Sequence, residues 1–339
     1  MRFSTSAFAP ACTSPNHCEA DPLRLYPDAS DGEAAVTRYR VFPGMELDYR
    51  DVHARVCREL RDGSGERLEI HHCLEGRVEY RQNGRYFYLS PGDLAVARTS
   101  SLPPDSRFPT GHYHGITVTI DPAAAPECLS CILSDVEVRP AALMEKLCPG
   151  GTVFTARSSR RVKHVFSELY AVPEDIRKGY LKVKLLELLL FLSTLSPEDG
   201  QTPHGCTAAQ VSLAEQVKAR LLAKPDRTLT LKSLSQQFNV SEAQIKSSFA
   251  RVYGMSPAAY ARSQRMHGAA ALLRETDRTV LDIACQFGYD NASKFARAFR
   301  DVIGVSPREY RAGAEYDSCA PQLGEKPVSL SDADVERRI

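Results

Sequence analysis

Two quartets of residues in the last third of the sequence have types and spacing suited to reading a nucleic acid. They are Ala243, Gln244, Lys246 and Ser247, and Ala292, Ser293, Lys294 and Arg297. Arg and Lys donate to guanine in the major groove, and Gln pairs with adenine through one donor and one acceptor. Ser hydroxyls bond bases or phosphates, and small Ala and Ser let a helix approach closely. The same residue types also clothe any solvated helix, so the elements that position them decide between the two readings.

Those elements occur twice. Phe249-x4-Gly254-x-Ser256-Pro257-x2-Tyr260 recurs as Phe299-x4-Gly304-x-Ser306-Pro307-x2-Tyr310, each position 50 residues on. Upstream, Leu234 to Phe238 matches Ile283 to Phe287 at an offset of 49, so one residue is inserted in the second turn. The first copy predicts a helix over 231–238, a turn, and a helix over 242–253 capped by Ser241. The second predicts a helix over 280–287 and another, capped by Asp290, running to about Val302. Ile245 and Phe249 are four apart and face inward, as do Phe295 and Phe299, which leaves the quartets outward. The pattern is a helix-turn-helix present twice.

Charge agrees with this. Residues 212–312 hold 16 Lys or Arg and 9 Asp or Glu, a balance of +7, while the stretches before and after each come to −3. A formal charge of +1 over the 339 residues conceals this basic module. Basic modules favour anionic partners, nucleic acid first among them.

The rest of the chain reads differently. Apolar residues at 43% and charged residues at 25% are ordinary for a globular protein with a real core. Short alternating runs over 37–42, 45–52, 68–73, 78–80, 85–89, 94–97 and 113–120 predict strands. Asn83-Gly84 between two of them is a hairpin signal. Many short strands with Gly and Pro turns predict a sandwich or small barrel. Helical spacing follows over 160–169 and from Pro173 to Leu195, with Ile176, Tyr180, Val183, Leu186 and Leu190 on a broad apolar face. The expected organisation is a flexible N-terminus over 1–34, a strand domain over 35–140 and a helical region over 141–196. A linker over 197–211, the double helix-turn-helix over 212–312 and a flexible tail over 313–339 complete it.

Several function classes find no support. The greasiest run, Leu185 to Leu195, is too short to span a membrane, and Met1 to Pro15 lacks the apolar core of a secretory signal. The ten cysteines are irregularly spaced, which argues for reduced thiols rather than a disulfide scaffold. Cys128 and Cys131 form one CxxC, which fits a redox pair, half a zinc site or chance. No G-x-S-x-G elbow, P-loop, Rossmann glycine fingerprint or H-E-x-x-H motif is present, so no catalytic residue is assigned.

Residues 212–312 resemble the DNA-binding domain of the AraC/XylS family of transcription regulators. The resemblance rests on Arg265-x3-Ala269-x2-Leu272-Leu273. It continues through Val280-x2-Ile283-Ala284-x2-Phe287-Gly288-Tyr289-x3-Ser293-x-Phe295-x-Arg297-x-Phe299-x4-Gly304-x-Ser306-Pro307-x2-Tyr310-Arg311. It implies two helix-turn-helix units joined by a long helix, here about 257–274, with both recognition helices entering successive major-groove segments. One position usually basic in the family's first unit is Ser247 here, with Lys246 beside it, whereas Arg297 keeps the family's arginine.

The N-terminal region resembles the cupin-like regulatory domain that many such proteins carry, through Leu89-Ser90-Pro91-Gly92-Asp93-Leu94 and His71-His72-Cys73-Leu74-Glu75-Gly76. The fold expected is therefore α+β in two domains: a cupin-like β-barrel with a helical extension, then an all-α double helix-turn-helix domain. The resemblance implies a small-molecule effector in the barrel, and makes the helices of residues 158–195 candidates for a homodimer contact; their broad apolar stripe can equally pack on the barrel. For the effector, Arg38, Tyr49, His72, Arg98, His112, Tyr113 and His114 are the candidate clamp. His112 and His114 share a strand face while His71 and His72 point oppositely. One of the latter pair can join the former around a metal with Glu75 or Cys73 nearby, the histidines can bond an organic effector, or they can simply pack. The metal-cupin spacing of His-x-His followed by Glu is absent from the first motif, so neither metal nor cofactor is assigned. The expected partners are double-stranded DNA, an unidentified effector, a second copy and RNA polymerase, in a bacterial cytoplasm. A cupin-type metalloenzyme fused to a DNA-binding domain and a protein-interaction scaffold are the competing functions.

Overall fold

Period-two alternation sets the strands of the N-terminal unit. The computed structural model describes residues 22–61, 65–125, 138–200, 205–223 and 230–319. Its strands are β1 (Leu23–Leu25), β2 (Glu33–Phe42), β3 (Met45–His53), β4 (Val56–Arg58), β5 (Leu68–Gly76) and β6 (Val78–Gln82). After them come β7 (Arg85–Leu89), β8 (Leu94–Arg98), β9 (Asp105–Arg107), β10 (Tyr113–Ile120) and β11 (Phe154–Ala156). All seven predicted runs are strands, and the three-residue β1, β4, β9 and β11 are additional. Asn83 and Gly84 both take positive φ, 50° and 72°, which a two-residue hairpin between β6 and β7 requires.

The strands do not close into a cupin-like barrel. They form a seven-stranded sheet in the order β1-β2-β3-β10-β5-β8-β11 and a four-stranded sheet in the order β4-β9-β6-β7. Neither order returns to its first strand, so both sheets are open. Closure needs consistent tilt and register around the whole sheet. Here the large sheet stops at three-residue edge strands, and the small sheet is held at β6–β9 by the single pairing of Glu79 with Arg107. The fold is α+β in two parts, with open sheets first and helices after.

Each face of the large sheet has its own core. One face packs with the small sheet around Val52, Cys57, Cys73, Tyr80, Phe108 and Tyr113. The other carries Met45, Leu47, Leu68, Ile70, Ile116 and Val118 against three helices, α1 (Pro140–Leu147), α2 (Arg160–Ser167) and α3 (Arg177–Thr194). On α3 the packed residues are Leu181, Leu185, Leu188, Leu189 and Leu192. The stripe named from sequence lies mostly elsewhere, with Ile176 and Val183 exposed at 54% and 62%. Lys184 is buried at 3% on α3 and held by Glu168 and Glu187.

The remaining helices are α4 (Ala208–Ala223), α5 (Leu231–Phe238), α6 (Glu242–Tyr253), α7 (Pro257–Glu275), α8 (Val280–Gln286), α9 (Ala292–Ile303) and α10 (Pro307–Cys319). Contacts divide the chain at Ala214, the helical unit beginning at Glu215, although residues 247–254 group with the first unit. Among the described residues no helix is long and apolar enough to cross a membrane. The Cys128–Cys131 pair lies outside the described residues, as do residues 1–21.

Candidate nucleic-acid interface

The repeat seen in sequence is a repeat of backbone conformation. Thr230 caps α5 by accepting from the Ser233 amide, and Thr279, 49 positions on, caps α8 by accepting from Asp282. Each first helix ends on a left-handed residue, Asn239 at φ 52° and Gly288 at φ 76°. Matching bonds close these turns, Val240 N–H to the Ser235 carbonyl at 3.1 Å and Tyr289 N–H to the Ala284 carbonyl at 2.9 Å. The Ser241 hydroxyl then caps α6, accepting from Gln244 N–H at 3.1 Å. In the second copy the cap is Asn291 rather than Asp290, its Oδ1 accepting from Ser293 at 2.8 Å and Lys294 at 3.2 Å. The inserted residue is therefore Asp290, because the offset has already become 50 at the cap. Ser256 and Ser306 repeat the device at the starts of α7 and α10.

Burial along α6 and α9 follows the same register. Ile245 and Phe249 are fully buried, as are Phe295 and Phe299. Phe295 and Phe299 sit with Met266, Leu273, Ile283 and Tyr289 in one core, which fixes α9 against α7 and α8. All eight residues named from sequence are exposed: Ala243, Gln244, Lys246 and Ser247 on α6, and Ala292, Ser293, Lys294 and Arg297 on α9. Each quartet occupies the side of its helix away from the buried aromatics. Arg311 closes the second copy by donating to the Leu273 carbonyl at 3.3 Å and the Arg278 carbonyl at 2.6 Å.

The effector candidates do not converge. Arg38 makes a two-bond pair with Asp48, both at 2.8 Å, in a cavity of about 370 Å³ on the side of the large sheet shared with the small sheet. Tyr49 points to the opposite face and donates to the Leu169 carbonyl at 2.6 Å. His72 is buried under α2, its ring stacked on Phe166 at 4.1 Å and its Nδ1 2.9 Å from the Tyr170 hydroxyl. Burial pulls its pKa down to about 4. Arg98 is tied to the Cys148 carbonyl and to Glu145 of α1. Tyr113 is buried against Phe108, His112 is exposed, and His114 pairs with Asp51. Neither His71 nor His72 meets His112 and His114, which removes the reading that joins them around a metal. In the β5–β10 ladder His72 lies opposite Ile116 and His71 opposite Thr117.

Residues not named from sequence line the 370 Å³ cavity instead: Arg50, Glu59, Arg61, Glu69 and Thr117. Arg50 donates to Glu59 at 2.8 Å with both side chains nearly buried. Burial alone would raise the Glu69 carboxyl, but His71 and then Arg61 outweigh it and hold it at about 2. Alternation offered the signal: Asp48 and Arg50 share one face of β3, and Glu69 and His71 one face of β5. Charged residues spaced by two on strands otherwise rich in apolar residues mark a polar-lined cavity.

A family description of a helix-turn-helix domain matches residues 234–313. The chain is 34% identical over 275 residues to the uncharacterized HTH-type transcriptional regulator YdiP of Escherichia coli K12, covering 77% of this chain and 88% of that one. It is 24% identical over 275 residues to the arabinose operon regulatory protein of the same organism, covering 76% and 83%. Among solved structures, a probable AraC family transcriptional regulator from Rhodopseudomonas palustris matches 30% of this chain and 97% of its own at 32% identity, with a TM-score of 0.29.

Proposed function

The chain belongs to the AraC/XylS family of DNA-binding transcription regulators, and on that premise we propose that α6 and α9 read successive major-groove segments of one operator. It is a regulator and not an enzyme, like the relatives it matches. The observation that carries the reading is the duplicated exposure pattern: two capped helices, each with buried aromatics behind and an exposed polar quartet in front. In this reading Lys246, Lys294 and Arg297 donate to bases or phosphates, Gln244 pairs with adenine, and Ala243, Ser247, Ala292 and Ser293 permit close approach. The +7 balance of residues 212–312 supplies the salt-dependent attraction to the backbone.

The N-terminal unit is the sensing part of this proposal. A small polar effector in the 370 Å³ cavity, contacting Arg38 and its charged neighbours, would bias one DNA-binding state over another. The exposed Ile176, just before α3, and Val183 on it support pairing of two copies through residues 158–195. Two copies raise the effective concentration of each DNA-binding unit. RNA polymerase contact and a bacterial cytoplasmic setting complete the reading. The test is selection of duplexes from a random pool by the full-length protein. Enrichment of one motif supports sequence-specific reading, and no enrichment at low salt refutes it.

A further inference from the structure

Asp51, His53 and His114 meet on the face of the large sheet opposite the Arg38 cavity. Asp51 and His114 are direct partners in the β3–β10 ladder. His53 follows Asp51 by two residues and so shares its face. Asp51 Oδ1 lies 3.0 Å from His53 Nε2 and 3.3 Å from His114 Nδ1. One ligand atom from each residue falls within 4.8 Å of the others. The two imidazoles meet edge to face with centroids 5.4 Å apart.

A tetrahedral ion with ligands at 2.0–2.1 Å sets those ligands about 3.3 Å apart. The two separations at Asp51 are close to that edge. An exposed carboxylate gains little from holding one imidazole, yet here two imidazoles from neighbouring strands converge on one oxygen. A divalent cation would draw all three donors together.

We propose that Asp51, His53 and His114 form a binding site for a divalent transition-metal ion, zinc being the best match. Two imidazoles with one carboxylate suit zinc, iron or nickel, whereas calcium and magnesium prefer oxygen ligands. Three protein ligands leave a coordination position open. Asp51 and His114 also line a cavity of about 290 Å³ together with Tyr49, Leu74 and Tyr170. A small chelating molecule in that cavity would complete the coordination. The site rests on none of the residues assigned to DNA.

The test uses full-length protein stripped with a chelator, titrated with Zn²⁺ by calorimetry and with Co²⁺ by visible absorption. Wild type should bind one equivalent more than the double variant Asp51→Asn, His114→Ala. The Co²⁺ bands of a low-coordinate site should appear in wild type and vanish in that variant. His53→Ala and His114→Ala should each weaken that equivalent by at least about tenfold, since even the outer partners of metal ligands are worth 10–100-fold. Asp51 and His53 side chains are more than half exposed and His114 is 32% exposed, so the metal-free variants should keep the wild-type melting temperature. Should His114→Ala lower it, Asp51→Asn with His53→Ala makes the same comparison. Equal stoichiometry and affinity in wild type and double variant would overturn the site, with the remaining cysteines and histidines then holding the metal.

Discussion

Arg297→Ala should abolish preference at one base pair while leaving the fold untouched. Arg297 is exposed on α9, between the fully buried Phe295 and Phe299, and forms no ion pair among the described residues. Truncation therefore opens no cavity and strands no carboxylate. A bidentate arginine–guanine contact is worth roughly 1–3 kcal/mol of discrimination. At about 1.4 kcal/mol per decade, that is about 5- to 150-fold in relative affinity. The signature is positional. Wild type should lose that factor when one operator pair is replaced, and the variant should be nearly indifferent to the same replacement. The assay is fluorescence anisotropy with full-length protein, the selected operator and its single-base mismatches at fixed salt. An arginine that meets only phosphate would behave otherwise, weakening every sequence alike and flattening the salt slope by about one. Equal losses on all sequences would remove Arg297 from the base readers.

Phe299→Ala should destabilise the helical unit by about 3–5 kcal/mol, because a fully buried ring leaves a cavity; a change under about 1 kcal/mol in urea denaturation would contradict the α7–α9 core. His72 titrates at about 4 when folded against about 6.5 unfolded, so the unfolded chain binds the extra proton between those values. Stability should be complete above about pH 6.5 and fall by about 3 kcal/mol as pH drops toward 4, and His72→Phe should flatten that slope in denaturation measured across the window. Glu59→Ala strands the nearly buried Arg50 and should cost about 3–5 kcal/mol, whereas an unchanged denaturation midpoint would mean the pair is dispensable. Ile176→Glu with Val183→Glu should shift the full-length protein toward monomer in sedimentation, and an unchanged distribution would move the dimer contact away from these residues.

The helical unit was legible because its information is local. Cap, aromatic spacing and glycine stop span 13 positions in each copy, Ser241 to Gly254 and Asn291 to Gly304, and the 50-residue repeat supplied an internal check. The second cap is Asn291 and not Asp290 because Asp290 is itself the inserted residue. The N-terminal unit was legible strand by strand but not as an assembly. Nothing near β5 states that β10 lies between it and β3, yet that order takes His114 away from His72 and gives it to Asp51. Closure failed as an expectation for the same reason, since it depends on three-residue edge strands too short to show alternation. On α3 both sides are apolar, so sequence alone could not say that Leu181, Leu185 and Leu188 face the sheet while Val183 faces out.

A hydroxyl-radical footprint of the full-length protein on its selected operator tests the two-helix account most directly. Two protected segments should appear on one DNA face, their centres about one helical turn, roughly 10 base pairs, apart. Substituting Gln244 and Lys246 by Ala should erase protection over one segment, and Arg297→Ala should weaken the other. A single protected segment that responds to both sets of variants, or protection identical on random duplex, would contradict the claim that α6 and α9 each read their own stretch of DNA.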